Sequence, residues 1–193
     1  MAEQVDGAAN ARITDARTLR ALAHPARIEI VDHLSTTGAS VTATECAELV
    51  GLSPSATSYH LRELAKYGLV EQAPSRGDGR ERLWRAVNSS LSIEGDVDAP
   101  ESLAAERALV DVYMDRDITR VRDFMERQVD EPREWREASA LMGQQLLVTA
   151  AELAELNEKV RALTEPYRLR ERQADAPAGA RQVTLQYRVF PMR

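Results

Sequence analysis

The sequence predicts a mainly α chain with a small amount of β-structure, an α+β protein, on three observations. Apolar residues recur at helical spacing in successive segments separated by Gly, Pro and capping residues. Two short strand-like runs bracket a turn-rich basic loop in the N-terminal half. Aromatic residues make up only 5% of a chain that is 44% hydrophobic, so its cores are built from Leu, Ala and Val, which suits helices better than a β-sandwich. With 193 residues the chain is long enough for one largish domain or two small ones.

Residues 1–12 read as a disordered lead-in, and a domain follows over 13–90. Its first helix, 15–23, carries Leu19, Leu22 and Ala23 on one side and is broken by His24-Pro25. Pro25 suits the first turn of a second helix, where its missing N–H is no loss. That helix repeats Ile28, Val31 and Leu34 and stops at Gly38. A third helix spans 42–50, with Cys46, Leu49 and Val50 apolar. Gly51 permits the positive φ of a sharp turn, Ser53 is a good N-cap, and Pro54 opens a fourth helix that runs to about Tyr67. Leu61, Leu64 and Ala65 lie on its inner side, and Gly68 ends it. Runs 69–73 and 82–87 then read as strands of a hairpin around Pro74 to Arg80.

Residues 91–100, with Gly95, Asp96, Asp98 and Pro100, read as a linker. The remainder, 101–193, opens with a long helix to about Gln128, on which Val110, Met114, Ile118, Val121 and Met125 form one apolar stripe. Glu131-Pro132 breaks it. Alternation of apolar and polar residues predicts strands over 140–148 and 181–190. Between them, Thr149 and Glu152 form a capping-box pattern at the head of a helix bearing Leu153, Leu156, Val160 and Leu163. Trp135, Met142, Tyr167, Tyr187 and Phe190 are candidates for a small-molecule pocket, with ordinary core packing as the alternative.

The order helix, helix, helix, turn, helix, hairpin is that of a winged helix-turn-helix, here followed by a long helix and a small helix/strand C-terminal region. The turn sets the fourth helix so that its N-terminal half can enter a major groove. Its candidate contacts are Ser55, Ala56, Ser58, Tyr59, His60, Arg62 and Lys66: small residues that allow close approach, and donors that reach base edges or phosphates. Arg76, Arg80 and Arg82 on the hairpin are candidates for phosphate or minor-groove contact. The net charge of −6 points the other way, but it is uneven: over 61–86, six basic residues face four acidic ones. An alternative use of the same fold is a protein-interaction module without specific DNA binding.

The run Leu19-Arg20-Ala21-Leu22-Ala23-His24-Pro25-Ala26-Arg27, with Gly51-Leu52-Ser53, Ser58-Tyr59-His60-Leu61-Arg62-Glu63-Leu64 and Gly68-Leu69-Val70, resembles the ArsR/SmtB-type winged-helix regulators. The resemblance covers about residues 15–90. It implies a homodimer that binds double-stranded operator DNA, commonly as a repressor released by an inducer, and it favours the stripe at 110–125 as a dimer contact. A two-fold dimer sets its recognition helices roughly 34 Å apart, which implies an inverted-repeat operator.

Metal sensing, the first expectation from that resemblance, finds few ligands. Thr42 and Thr44 stand where thiolate sensors carry cysteines, and Cys46, the single cysteine, falls on an apolar phase that suits core filling. The three histidines, His24, His33 and His60, all precede residue 61, so a zinc-type set on the C-terminal helix is not expected. Asp111, Asp115 and Asp117 are interleaved with Arg116, Arg120 and Arg122, which reads as a solvated helix face rather than a carboxylate site. No phosphate-cradling glycine motif or nucleophile–base pair marks an enzyme, and no cofactor is expected. The lone cysteine and the absence of a signal-like or membrane-spanning run suggest a reducing cytoplasm, with no membrane partner.

Overall fold

The four N-terminal helices begin and end where their capping groups are satisfied. The structure is a computed structural model and describes residues 10–75 and 81–192. Helix α1 (Ala16–Leu22) starts at Asp15, whose Oδ1 accepts the Thr18 N–H at 2.9 Å. Helix α2 (Pro25–Thr37) starts at His24, whose Nδ1 accepts the Ala26 N–H at 3.2 Å, and ends at Gly38, which takes the left-handed conformation with φ 66°. Thr42 and Glu45 close a reciprocal capping box at the head of α3 (Ala43–Val50), which satisfies two backbone donors at once. Gly51, at φ 65°, turns the chain into α4 (Pro54–Lys66), capped by Ser53, whose Oγ accepts the Ala56 N–H at 3.2 Å.

Two small sheets accompany these helices. Strands β2 (Val41–Thr42), β4 (Leu83–Ala86) and β3 (Val70–Ala73) form an antiparallel sheet in the order β2-β4-β3, with Val70 opposite Ala86 and Ala73 opposite Leu83. Strand β1 (Asn10–Ile13) pairs in parallel with β5 (Ser90–Ile93), Ile13 facing Ile93. This pair corrects two sequence expectations. The lead-in does not extend to residue 12, because 10–13 gains a ladder partner some 80 positions away. The linker over 91–100 is likewise strand to Ile93 and turns into helix α5 (Pro100–Arg127) at Pro100. Neither strand has a local signature, since each is only four residues long and is held by its partner.

The chain divides into two units, Met1–Arg116 and Asp117–Arg193. The core of the first gathers Leu19, Leu22, Ile28, Ile30, Val31, Leu34, Leu61, Leu64, Val70 and Trp84, joined by Ala105 and Leu109 from α5. Cys46 is buried in this core, as its apolar phase predicts. On the next turn of α5, the Tyr113 hydroxyl donates to Asp32 Oδ1 at 3.5 Å, and the Arg116 guanidinium pairs with Asp32. This ties α5 to α2 by polar contacts at the edge of the apolar seam.

The second unit contains α6 (Arg133–Ala138), α7 (Ala150–Thr164) and the single turn α8 (Leu169–Arg172). The expected capping box at Thr149 and Glu152 is present, with the Glu152 N–H donating to Thr149 Oγ1 at 3.2 Å. The two strands expected over 140–148 and 181–190 are not formed: residues 139–149 and 180–192 have no regular structure. Alternation specifies which side chains share a face, but a strand also needs a neighbour to complete its ladder, and none pairs with these segments. Except for half-buried Val189, their apolar residues are correspondingly exposed, Leu147 completely so. Met142, Tyr167, Tyr187 and Phe190 are exposed as well, so with half-buried Trp135 they do not line an enclosed pocket. Instead Arg181 stacks over Trp135 at 4.7 Å while donating to both Glu131 oxygens, and the Tyr187 hydroxyl donates to Asn157.

Candidate nucleic-acid interface

Helix α4 has one face that the core owns and one that it leaves to solvent. Thr57, Leu61 and Leu64 are fully buried, and the Thr57 hydroxyl donates to the Ser53 carbonyl at 3.0 Å, which locks the first turn. Residues 55, 59, 62 and 66, spaced 4-3-4, fall on the opposite side. There Ser55, Tyr59, Arg62 and Lys66 are exposed, and Ala56 and Ser58 are half-buried at the margins. The Lys66 ammonium pairs with Glu63 one turn back, which keeps both side chains on the surface.

His60 is the exception among the expected contact residues. It is 8% exposed and faces inward. Its position follows from helical phase: 60 lies one residue before Leu61 and four before Leu64, on the buried side. Its Nδ1 accepts the Arg27 Nε–H at 3.3 Å, and its ring lies 4.5 Å from that of His24, centroid to centroid. Arg27 also donates through Nη1 to the Ala21 carbonyl at 2.8 Å and lies 6.0 Å from the Tyr59 ring. His60 is therefore a joint between α2 and α4 rather than a reader, and Arg27 and Thr57 are positioning residues that sequence reasoning missed. The signal available was the pairing of His24-Pro25-Ala26-Arg27 with the buried phase of α4.

These two imidazoles titrate against the fold. Burial first, and the Arg27 charge second, hold His24 below the ordinary imidazole range. Burial, then His24, then Arg27 do the same for His60. Both Nδ1 atoms are hydrogen-bond acceptors in the folded chain, a role that protonation there abolishes. A folded-state pKa below the unfolded one means the unfolded chain binds more protons at mildly acidic pH, so stability falls as pH drops below about 6.5 and is complete above it. The urea midpoint of the N-terminal unit is expected to be lower at pH 5.5 than at pH 7.5, and the difference to shrink in His60→Gln, whose amide oxygen keeps an acceptor for Arg27. A midpoint independent of pH over that interval would refute it. The carboxylates with lowered values act only below about 4.5 and do not confuse this window.

The β3–β4 hairpin flanks α4. Arg82 is exposed at the foot of β4, whereas Arg85, opposite Glu71 across the ladder, is engaged by it at 2.8 Å. The expected contacts Arg76 and Arg80 lie outside the described residues.

Among the described residues, no three His, Cys, Asp or Glu side chains converge on a common point. Burial, and then Glu45, push the Cys46 thiol up to about 11, so it is a protonated core group at neutral pH. Of Asp111, Asp115 and Asp117 on α5, Asp117 is buried against the Arg188 guanidinium rather than solvated as expected.

Residues 22–73, from the last residue of α1 through β3, match the helix-turn-helix domain family. The chain is also 31% identical to a possible transcriptional regulator for arsenical resistance of known crystal structure, over 53% of this chain and 94% of that one (TM-score 0.32). The chain thus carries a helix-turn-helix domain over residues 22–73. It is also similar to the homodimeric winged helix-turn-helix DNA-binding domain of a possible ArsR-family regulator from Mycobacterium bovis, at 24% identity over 53% of this chain and 80% of that one (TM-score 0.34). It is similar too to the transcriptional repressor BigR from Xylella fastidiosa, at 20% identity over 52% and 84% (TM-score 0.32). No curated protein sequence matches the chain. Among the described residues, no helix is long and apolar enough to cross a membrane.

Proposed function

We propose that this protein is an ArsR-type, sequence-specific transcription regulator that binds double-stranded DNA as a homodimer and represses from an inverted-repeat operator. The observation that carries the reading is the exposed face of α4, with Ser55, Tyr59 and Arg62 set opposite the fully buried Thr57, Leu61 and Leu64. A helix held this firmly from behind, capped by Ser53 and reached through a tight Gly51 turn, presents a rigid surface to the major groove. Ser55 and Ser58 are small enough for close approach, while Tyr59 and Arg62 extend to base edges and phosphates. Arg82 on the neighbouring hairpin adds a backbone contact.

Two-fold pairing places two such helices about one DNA turn apart. Repression follows from the family's common mode of action, occupancy of an operator until a signal releases it. The acidic remainder of the chain limits binding to unrelated DNA by repulsion.

Arg62→Ala tests the reading. The variant is expected to bind a duplex selected by the wild-type protein about 5- to 150-fold more weakly, the worth of one good base or phosphate contact at about 1–3 kcal/mol, with an unchanged urea midpoint. Anisotropy titrations at fixed salt measure it. Equal affinities would remove Arg62 from the interface, and a wild-type protein that selects no duplex would leave this winged helix as a protein-interaction module.

A further inference from the structure

A groove of about 390 Å³ lies along the flank of α4, lined by Arg17, Arg20 and Ala21 of α1, Arg27 of α2, and Glu63 and Tyr67 of the recognition helix. Three guanidinium groups thus meet one carboxylate, and that carboxylate is already engaged: the Lys66 ammonium hydrogen-bonds Glu63 and holds its pKa low. The groove is an open trough, whereas sites for small ligands enclose most of the ligand surface. An open, positively charged trough suits an extended polyanion.

Its place in the fold says which one. Arg27 spans the groove and the exposed face of α4: it lines the trough and also lies 6.0 Å from the ring of Tyr59, itself 51% exposed. The Arg27 head is held by the Ala21 carbonyl and His60, so it presents its charge with little loss of freedom on binding. Arg20 pairs with Glu101 at 3.2 Å, but both side chains are largely exposed, and a surface pair of this kind is worth little and exchanges readily for a phosphate.

We infer that this groove is a phosphate clamp: Arg17 and Arg20, with Arg27 behind them, grip the DNA backbone beside the bases that α4 reads. The inference rests on the DNA-binding reading above and adds to it a second contact surface, on α1, that carries no sequence information and sets the register of α4 on the duplex.

The test uses the full chain and two duplexes of equal length, one selected by the wild-type protein from a random pool and one unrelated. In Arg17→Ala/Arg20→Ala, the slope of log affinity against log salt should fall by about two, roughly 0.9 per lost phosphate contact, and both duplexes should weaken by the same factor, roughly ten-fold or more at 0.1 M salt. Arg62→Ala should instead weaken the selected duplex more than the unrelated one. Arg17→Lys/Arg20→Lys should restore the slope, which a merely structural role would not require. An unchanged slope in the double alanine variant, with Arg62→Ala still impaired, overturns the clamp and leaves the DNA reading standing. A lowered affinity with an unchanged slope also overturns it. A wild-type protein without salt-dependent binding overturns both.

Discussion

Replacing Leu64 by Ala is expected to remove about 2–5 kcal/mol from the stability of the N-terminal unit and, with it, most of the DNA binding at 37 °C. Leu64 is fully buried on the inner face of α4 and belongs to the same cluster as Leu19, Leu22, Ile28 and Leu34. Truncation removes the transfer energy of its side chain and leaves a void that the capped helices around it cannot fill by collapsing. Domains of this size hold about 5–15 kcal/mol in all, so the loss is a large share of the total. Leu49 is the internal comparison: it is 38% exposed at the end of α3, and Leu49→Ala should cost less than about 1 kcal/mol. Urea unfolding of both variants measures the contrast. Equal costs would mean that α4 is not seated as described, and the face assigned to DNA would then have no fixed platform.

The second large effect concerns α5. Met114→Glu with Ile118→Glu is expected to convert a dimer to a monomer and to weaken operator binding at least about 100-fold. The helix has two apolar faces. One, through Ala105 and Leu109, is buried in the core of the first unit. The other carries Val110, Met114, Ile118 and Met125, which are 45%, 37%, 43% and 45% exposed. A second copy of the chain is the occupant that the homodimer reading calls for, and two carboxylates in such a seam have no partner to offset their desolvation. Loss of pairing turns two linked half-site contacts into independent ones, which is the source of the affinity loss. Sedimentation of wild type and variant at micromolar concentration decides it. A monomeric wild type, or a variant that still dimerises, would remove the stripe from the dimer contact.

Much of the N-terminal unit was legible in the sequence because its determinants are local. Pro25, Gly38, Ser53, Pro54 and Gly51 act within one turn of their own positions, and each does in the structure what its chemistry predicts. The apolar period of α4 likewise assigned Leu61 and Leu64 to the core. The expectation for His60 failed because residue type was weighed above helical phase: a histidine looks like a reader, but its position points at His24 and Arg27. Arg17, Arg20 and Arg27 carry no local signal of a shared groove, because they lie on two separate helices that only folding brings together.

By itself, then, the sequence determined the boundaries of the N-terminal helices, the turn between α3 and α4, and the buried side of α4, all of which depend on contacts spanning a few residues. Only the tertiary structure decided which strands exist. β1 and β5 form because each supplies the other's missing hydrogen bonds across some 80 residues, while 140–148 and 181–190, with clearer alternation, stay irregular for want of a neighbour. It also decided that His60 joins two helices and that a basic groove runs beside α4. Strand pairing, burial and charge convergence depend on residues far apart in the chain, and no local pattern records which of them will meet.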